Sequence, residues 1–244
     1  MNIEQANKNW TKLGENDPMW VVLTAADKRG GKWSPEEFFA NGRVEIEQAL
    51  SDVEAAGVTI NRGTALDFGC GLGRLSQALA AQFQHVDGVD VSTSMIEQAR
   101  QFNKYPDKVE YHLNVKSDLS LFPRQRFDFI YSNIVLQHIP TPHQLSYISE
   151  FMELLKPGGT AYFQAMHAYG MRALAPRWFV EAFRYLKHGG KPYIPMYGVP
   201  VADVENAIRT GGCHLQQKQS SPYPGSERRF FSDRYLAIKQ QPKQ

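Results

Sequence analysis

The residues with the clearest chemical potential lie in a glycine-rich stretch at positions 64–79, which reads TALDFGCGLGRLSQAL. A short apolar run there carries one acid, Asp67. The run breaks at three glycines, Gly69, Gly71 and Gly73, and apolar residues at helical spacing follow. This pattern predicts a strand, a tight turn and the start of a helix. Because glycine permits positive φ and leaves bare backbone beside the free amides of a helix N-terminus, the stretch predicts a site for a nucleotide-like ligand.

A second acid, Asp90, lies at the end of the next predicted strand, 23 residues after Asp67. A carboxylate at that position can accept hydrogen bonds from both hydroxyls of a ribose, in NAD as well as in S-adenosylmethionine. The dinucleotide fingerprint requires a glycine three residues after Gly71, where this chain has Arg74. An acid two residues before the first glycine would also face pyrophosphate in an NAD site, whereas it suits the ammonium and sulfonium of S-adenosylmethionine. The pattern therefore favours S-adenosylmethionine over NAD.

Four segments resemble the successive motifs of class I S-adenosylmethionine-dependent methyltransferases, of the bacterial small-molecule type. They are DFGCGLG at 67–73, GVDVS at 88–92, FDFIYSNIVLQHI at 127–139 and LLKPGGTAYF at 154–163, in the family's order and spacing. The alternation of strands and helices predicts an α/β, doubly wound sheet. The resemblance implies a Rossmann-like, mostly parallel sheet of seven strands, with S-adenosylmethionine as the methyl donor.

The resemblance also implies a set of residues around the donor. Arg43 could clasp the donor's carboxylate in a bidentate pair, with an ordinary surface charge as the alternative. Met95 would lie near the ribose or adenine, although helix packing explains a methionine there equally well. The predicted cofactor-binding residues are Arg43, Asp67, Gly69, Cys70, Gly71, Gly73, Arg74, Asp90, Val91, Met95, Asn114, Asp118, Leu119, Ser132 and Asn133.

The resemblance implies that the loop after the third predicted strand holds adenine, with a polar side chain at its exocyclic amine and an apolar residue against its ring, and the end of the fourth predicted strand should face the methyl donor. Asn114 and Asp118 compete for the exocyclic amine of adenine, and Asp118 could instead be only a turn former. Leu119 would lie against the adenine ring. Ser132 and Asn133 end the fourth predicted strand, where small polar residues suit a close approach of the ligand to the backbone.

Two additions to the central fold are predicted. Residues 1–60 form an N-terminal helical cap within the same domain, and residues 61–244 form the Rossmann-like domain with a lid inserted at 166–200. Ser34 and Pro35 begin the main helix of the cap, whose aromatic residues either cover the donor and acceptor or only pack on the sheet. The insertion is too long for a bare connection, and its aromatic residues favour an apolar or aromatic acceptor. A helical dimer contact is the alternative.

Methyl transfer is an in-line displacement, so the protein must mainly hold the nucleophile near the methyl carbon in a dry pocket. A general base is needed only when the acceptor carries a proton that must leave. His167 and His138 follow the fifth and fourth predicted strands and are the candidates for this base, although a lone histidine is more often structural. We expect O- or N-methylation and no metal. The Asn-Pro-Pro-aromatic tetrapeptide of nucleic-acid amino methyltransferases is absent, since SNIV stands at 132–135.

The composition of the chain limits the kinds of binding partner that it is expected to have. A net charge of +2 over 244 residues does not indicate a nucleic-acid surface, and no apolar run reaches the length of a membrane span, about 20 residues. We therefore expect a cytoplasmic protein with a small-molecule acceptor, no nucleic-acid partner, no membrane association and a possible homodimer. Two alternatives stay open: a methyltransferase acting on RNA or protein, and a non-catalytic module that only binds S-adenosylmethionine.

Overall fold

The computed structural model describes residues 10–11, 15, 17–168, 196–222 and 230–241. Its seven strands, in chain order, are β1 (Thr64–Phe68), β2 (His85–Asp90), β3 (Val109–Leu113), β4 (Phe127–Ser132), β5 (Leu155–Ala168), β6 (Cys213–Pro222) and β7 (Phe230–Lys239). Its α-helices are α1 (Pro18–Val22), α2 (Pro35–Ala55), α3 (Arg74–Ala80), α4 (Thr93–Phe102), α5 (Thr141–Leu154) and α6 (Val201–Thr210), and short 3₁₀ helices lie at Ala26–Lys28 and Leu136–His138. Among these helices, none combines the length and the apolar composition that crossing a bilayer requires.

The strands form one sheet in the order β3-β2-β1-β4-β5-β7-β6. Strands β1 to β5 pair in parallel, and β7 runs antiparallel to both of its neighbours. The predicted fold class is confirmed. Because β1 pairs with β2 on one side and with β4 on the other, the chain reverses its direction of winding at β1, which is where open α/β sheets bind ligands.

The two faces of the sheet carry separate cores, as a doubly wound fold requires. Along β1, Ala65 belongs to the cluster shared with α2, α3 and α4, and Asp67 accepts a hydrogen bond from Ser76 of α3. Leu66 and Phe68 belong to the opposite cluster, which is shared with α5 and α6. This alternation follows from the two-residue period of a strand, and it decides which β1 side chains can reach the ligand edge.

Helix α2 carries the N-terminal segment onto the same face as α3. Ser34 and Glu37 form a capping box, so the predicted helix start is confirmed. At Gly42 the two helices touch closely: a Cβ added there would lie 2.6 Å from the carbonyl oxygen of Arg74. The missing side chain at position 42 therefore lets α2 pack directly on the helix that follows the glycine turn.

Strand β5 is longer than the sequence indicates. The sequence predicts an insertion from residue 166, whereas β5 continues to Ala168 because Met166 and His167 still pair with Ser232 and Phe231 of β7. The predicted insertion at 166–200 must therefore begin later, after Ala168. Its predicted aromatic residues Trp178, Phe179, Phe183, Tyr185 and Tyr193 lie outside the described residues, while Tyr197 lies within them.

Candidate active site

A cleft opens at the carboxyl ends of β1, β2 and β4. Its wall is mostly apolar, with polar side chains at a few points. The lining residues are Trp10, Val21, Val22, Phe68, Gly69, Cys70, Gly71, Arg74, Leu75, Val89, Asp90, Val91, Ser92, Met95, Asn114, Asn133, Ile134, Val135, His138, Ile139, Pro140 and Tyr147. Nine of the predicted cofactor-binding residues are in this set, together with one of the two candidate bases.

The glycine turn after β1 forms the floor of the cleft. The amides of Gly69 and Cys70 both donate to the carbonyl oxygen of Val89, at 2.8 and 3.0 Å, so the turn is fastened to the end of β2. Gly71 has φ +52°, and Gly73, the N-cap of α3, has φ +78° and packs against the Tyr111 ring. A side chain would be strained at either position. Gly73, predicted to bind the cofactor, does not line the cleft, and a Cβ there would overlap the Tyr111 ring.

Asp90 is tied to that turn by its carboxylate. Its Oδ2 accepts from the amide of Gly71 and its Oδ1 accepts from the amide of Ser92, both at 2.9 Å. Burial raises the pKa of the Asp90 carboxyl, although these two amides lower it. Since each carboxylate oxygen can accept a second hydrogen bond, Asp90 can still receive the hydroxyls of a ribose at the wall of the cleft.

Asp67 does not lie where we predicted it. The carboxylate is buried below the floor, its Oδ2 accepts a 2.6 Å hydrogen bond from Ser76 Oγ, and Asp67 is not among the residues that line the cleft. Burial raises the pKa of Asp67 to about 7. The alternation along β1 accounts for this position, because it turns Asp67 toward α3 and away from the ligand edge.

The cation at the cleft is Arg74 and not Arg43. Arg74 begins α3 and lines the cleft, with Nη2 2.7 Å from Glu45 Oε2 and Nη1 2.9 Å from Asn41 Oδ1. Arg43 is exposed on α2 and is not among the lining residues. Helix α2 buries Gly42 and Ile46 against the fold, which turns the intervening Arg43 outward.

The loop after β3 favours Asn114 over Asp118 as the residue nearest the ligand. Asn114 lines the cleft, and its side chain holds the loop by donating to the carbonyl oxygen of Asp118 at 2.6 Å. Asp118 is not a lining residue and accepts from the amide of Ser120, so it acts here as a turn former. Leu119 is also absent from the lining; it is buried in the core cluster on the α5 side.

The segment after β4 brings polar and strained backbone to the cleft. Ser132 is buried and donates its Oγ to the carbonyl oxygen of Phe68 at 3.2 Å, so it supports the edge without lining it. Asn133 does line the cleft. The next residue, Ile134, has φ +60°, and its amide donates to Gln164 Oε1 at 2.9 Å. Strained non-glycine backbone of this kind is most often found at functional sites.

The structure separates the two candidate bases. His138 lines the cleft, and its ring packs edge-on against Trp10 with the centroids 4.9 Å apart. His167 is not a lining residue; its Nδ1 lies 3.6 Å from Asp233 Oδ2 of β7, and its ring stacks on Phe231. The roles of both residues stay predictions.

Several lining residues were not predicted individually. Trp10, Val21 and Val22 bring the N-terminal segment over the glycine turn, consistent with the predicted cover. Aromatic content indicated that segment, but no local pattern could show which of its side chains reach the cleft. Ile139 and Tyr147 come from the segment after β4 and from α5, and no pattern in the sequence singled them out.

A second group of titratable side chains lies at the other end of β2. Ligand atoms of His85, Asp87 and Glu110 lie within 4.8 Å of one another. The carboxylate of Asp87 is already engaged, since Oδ1 is 2.7 Å from His112 Nε2 and Oδ2 accepts from the Arg126 guanidinium. The Arg126 charge offsets that of Asp87, so this group is a cross-strand network that fastens β2, β3 and β4 together.

Comparison with known proteins identifies the fold that carries this cleft. Residues 65–159 match the family model of a methyltransferase domain. The match is to the part of the chain that holds the glycine turn and Asp90. The resemblance to class I S-adenosylmethionine-dependent methyltransferases is confirmed, and the matched residues of the domain run from β1 into β5.

Curated relatives of the methyltransferase domain include ubiquinone biosynthesis O-methyltransferases. The one from Coxiella burnetii (strain Dugway 5J108-111) is 34% identical over 113 residues, which are 45% of this chain and 46% of that protein. The chain thus spans about half the length of this relative. The one from Xylella fastidiosa (strain 9a5c) is 28% identical over 190 residues, 74% of each chain.

Among solved structures, magnesium protoporphyrin IX methyltransferase from Synechocystis PCC 6803, with bound S-adenosylhomocysteine, superposes with a TM-score of 0.61. The superposition covers 96% of this chain and 98% of that one at 18% sequence identity. At this level of identity the likeness shows the fold alone, which agrees with the strand order of the methyltransferase domain.

Proposed function

We propose that this protein transfers the methyl group of S-adenosylmethionine to a small acceptor, in an O- or N-methylation. The observation that carries the proposal is Asp90, hydrogen-bonded to the glycine turn at the wall of the cleft in a matched methyltransferase domain. S-adenosylmethionine, when bound, supplies an electrophilic methyl group. The chain's own residues then need only to bind, to orient and to exclude water.

The described residues fit this donor in three respects. The floor is bare glycine backbone, against which a nucleoside can lie. The two oxygens of Asp90 retain acceptor capacity for ribose hydroxyls, and Met95 and Asn114 line the cleft on the side where the adenine would lie. In the third respect, the buried side chain of Arg74 has an Nε with no hydrogen-bond partner among the described residues. Each of these features suits a nucleoside with a charged end.

The acceptor is proposed to be apolar or aromatic. Val21 and Val22 of α1 and Ile139 and Pro140 after β4 give the wall of the cleft an apolar character, which excludes water from the site of transfer. The names of the Coxiella and Xylella relatives favour an oxygen atom as the methylated position. A homodimer and a cytoplasmic location stay predictions.

Calorimetry tests the cofactor. The wild-type protein should bind S-adenosylhomocysteine and not NAD, and Asp90→Ala should weaken S-adenosylhomocysteine binding at least tenfold, equivalent to about 1.4 kcal/mol. Binding of NAD in place of S-adenosylhomocysteine would contradict the proposal. Asp107→Ala, a change of an exposed aspartate, serves as the matched control.

A methyl-labelling screen tests the acceptor. With labelled S-adenosylmethionine, at least one compound in a panel of phenols, carboxylates, amines and thiols should become labelled. We expect the label first in the aromatic hydroxyl compounds. Labelling of RNA or protein but of no small molecule would favour the macromolecular alternative. Donor binding with no labelling of any acceptor class would favour the non-catalytic module.

A further inference from the structure

Residues 197–199, which precede α6, contact the segment that joins β4 to α5. The amide of Tyr197 donates to the carbonyl oxygen of Gln137 at 2.7 Å. The amide of Val199 donates to the carbonyl oxygen of Met166 at 2.8 Å. Residues 197–199 therefore run between the end of β5 and the segment after β4.

Gln144 of α5 links these two segments through its side chain. Gln144 is fully buried, and its Nε2 donates to the carbonyl oxygen of Ile139 at 2.7 Å and to that of Tyr197 at 3.2 Å. Because both neighbours are acceptors, the amide is oriented with Nε2 toward them. Its Oε1 has no hydrogen-bond partner within the described part of the chain. Burying a glutamine amide is unfavourable without hydrogen bonds, so these two bonds account for a polar residue on the buried face of α5.

The carbonyl of Ile139 belongs to a stretch of backbone at the wall of the cleft. His138, Ile139 and Pro140 are consecutive lining residues. The backbone there forms one short 3₁₀ turn, closed by hydrogen bonds from the amides of His138 and Ile139. A 3₁₀ turn has poor hydrogen-bond geometry, so contacts from outside must help to fix its position. The hydrogen bond from Gln144 to Ile139 is such a contact.

The donor's nucleoside and the acceptor use different sides of the cleft in the proposed function. Asp90 ends β2 and Asn114 follows β3, whereas residues 138–140 follow β4. The strand order β3-β2-β1-β4 places these two groups on opposite sides of the turn after β1. A change confined to the β4 side should therefore affect the acceptor more than the donor.

We propose that Gln144 is a positioning residue for the acceptor side of the cleft. Its two hydrogen bonds hold the turn at residues 138–140 against residues 197–199, so that the candidate base His138 and the apolar wall beside it keep one arrangement. The chain that enters α6 thereby supports the acceptor site from outside the cleft. This inference rests on the proposed function.

Gln144→Met tests the role of the two hydrogen bonds, because methionine keeps the length of the side chain but cannot donate. The acceptor probe is the panel compound that the wild-type protein labels most strongly. For this compound, kcat/KM should fall at least tenfold in Gln144→Met, whereas S-adenosylhomocysteine should bind within twofold of the wild type in calorimetry. Gln101→Met, the same exchange at an exposed position of α4, should change neither value.

A second variant loosens the same contact without changing Gln144. Thr141 Oγ1 donates to the carbonyl oxygen of Gly198 at 2.9 Å, and Thr141→Val removes this bond. Thr141→Val should lower kcat/KM for the same compound by a smaller factor and leave S-adenosylhomocysteine binding within twofold. It provides the test if Gln144→Met does not fold.

Amide hydrogen exchange shows whether the effect is local. In Gln144→Met, the amide of Tyr197 should exchange at least tenfold faster than in the wild type. The amides of Gly69 and Cys70, in the turn after β1, should keep their wild-type rates. Equal acceleration at both places would show a general loss of stability and would contradict a positioning role.

The pattern of results separates this inference from the proposed function. If the wild type binds no S-adenosylhomocysteine or labels no compound of the panel, the proposed function is wrong and the role of Gln144 is wrong with it. If the wild type does both, but Gln144→Met lowers kcat/KM less than tenfold or weakens S-adenosylhomocysteine binding to the same extent, only the role of Gln144 is wrong.

Discussion

Val135 packs directly on the bare Cα of Gly69, so a methyl group added to Gly69 would overlap both Cγ atoms of Val135. Gly69 also has φ +78°, a conformation that side chains rarely adopt. The residue at position 69 must therefore adopt positive φ and must also lack a side chain. Its contact with Val135 joins the turn after β1 to the segment after β4. Both segments line the cleft.

Gly69→Ala should destabilise the protein and weaken donor binding. The left-handed conformation alone costs a residue with a Cβ about 1–2 kcal/mol, and the overlap with Val135 adds to it. Denaturant unfolding and titration with S-adenosylhomocysteine measure the two effects. Val135→Ala added to Gly69→Ala removes both overlapping Cγ atoms and should recover part of the lost stability. A Gly69→Ala protein as stable as the wild type would contradict the close packing.

Asp67 should make stability depend on pH near neutrality. Burial raises the pKa of Asp67 from 3.8 to about 7, against the hydrogen bond from Ser76 and the charge of Arg74, which lower it. The folded protein therefore keeps this proton to higher pH than the unfolded chain does. The stability that the group contributes is fully present below its ordinary pKa of 3.8 and is lost as the pH rises through about 7.

Asp67→Asn removes this titration. The free energy of unfolding of the variant minus that of the wild type should therefore increase from pH 5 to pH 8. The increase should be about 3 kcal/mol, because about two pH units separate pH 5 from the pKa of about 7 and each corresponds to about 1.4 kcal/mol. Urea unfolding at both pH values measures it, and Asp107→Asn at the surface is the control. An unchanged difference between variant and wild type at the two pH values would show that Asp67 does not titrate in this range.

The sequence predicted the features that local patterns determine. The glycines at 69, 71 and 73 indicated a turn after β1, and the apolar run before Asp90 placed that acid at the end of β2, where the structure has it. These features depend on residues close together in the chain. The doubly wound sheet followed from the alternation of such segments.

Features that depend on packing between distant segments could not be predicted in the same way. Arg43 and Glu45 are two residues apart on α2, and only the contact of Gly42 with α3 shows that Glu45 faces Arg74 while Arg43 faces outward. The link from Glu45 to Asn133 spans 88 residues. The burial of Asp67 was within reach of the sequence, since the period of β1 places it on the same face as Ala65.

Gln164 should hold the strained segment after β4. The φ of +60° at Ile134 is costly for a β-branched residue, and the buried Gln164 stabilises it by accepting from its amide. Gln164→Met keeps the size of the side chain but leaves that amide unpaired, so stability should fall by about 1–3 kcal/mol and S-adenosylhomocysteine binding should weaken. Chemical unfolding and calorimetry measure the two losses, with exposed Gln82→Met as the control.

Ile134→Gly provides the complementary test of that strain. Glycine adopts positive φ without cost, so Ile134→Gly should make the Gln164→Met change less destabilising than it is in the wild type. Equal effects of Gln164→Met in both backgrounds would mean that Gln164 does not act through the backbone at Ile134.

His138 is the candidate base that the geometry favours, because its ring lies in the cleft wall beside Trp10 whereas His167 lies beside Asp233. With an acceptor that must lose a proton, His138→Gln should lower kcat about a hundredfold and leave the KM for S-adenosylmethionine unchanged. Steady-state kinetics with an acceptor from the labelling screen measures this, and His214→Gln on β6 is the control. Glutamine keeps hydrogen-bonding capacity but cannot take a proton at neutral pH, so the loss reports proton transfer rather than packing. Full turnover by His138→Gln, together with an inactive but folded His167→Gln, would instead assign the base to His167 and require the acceptor to approach from the end of β5.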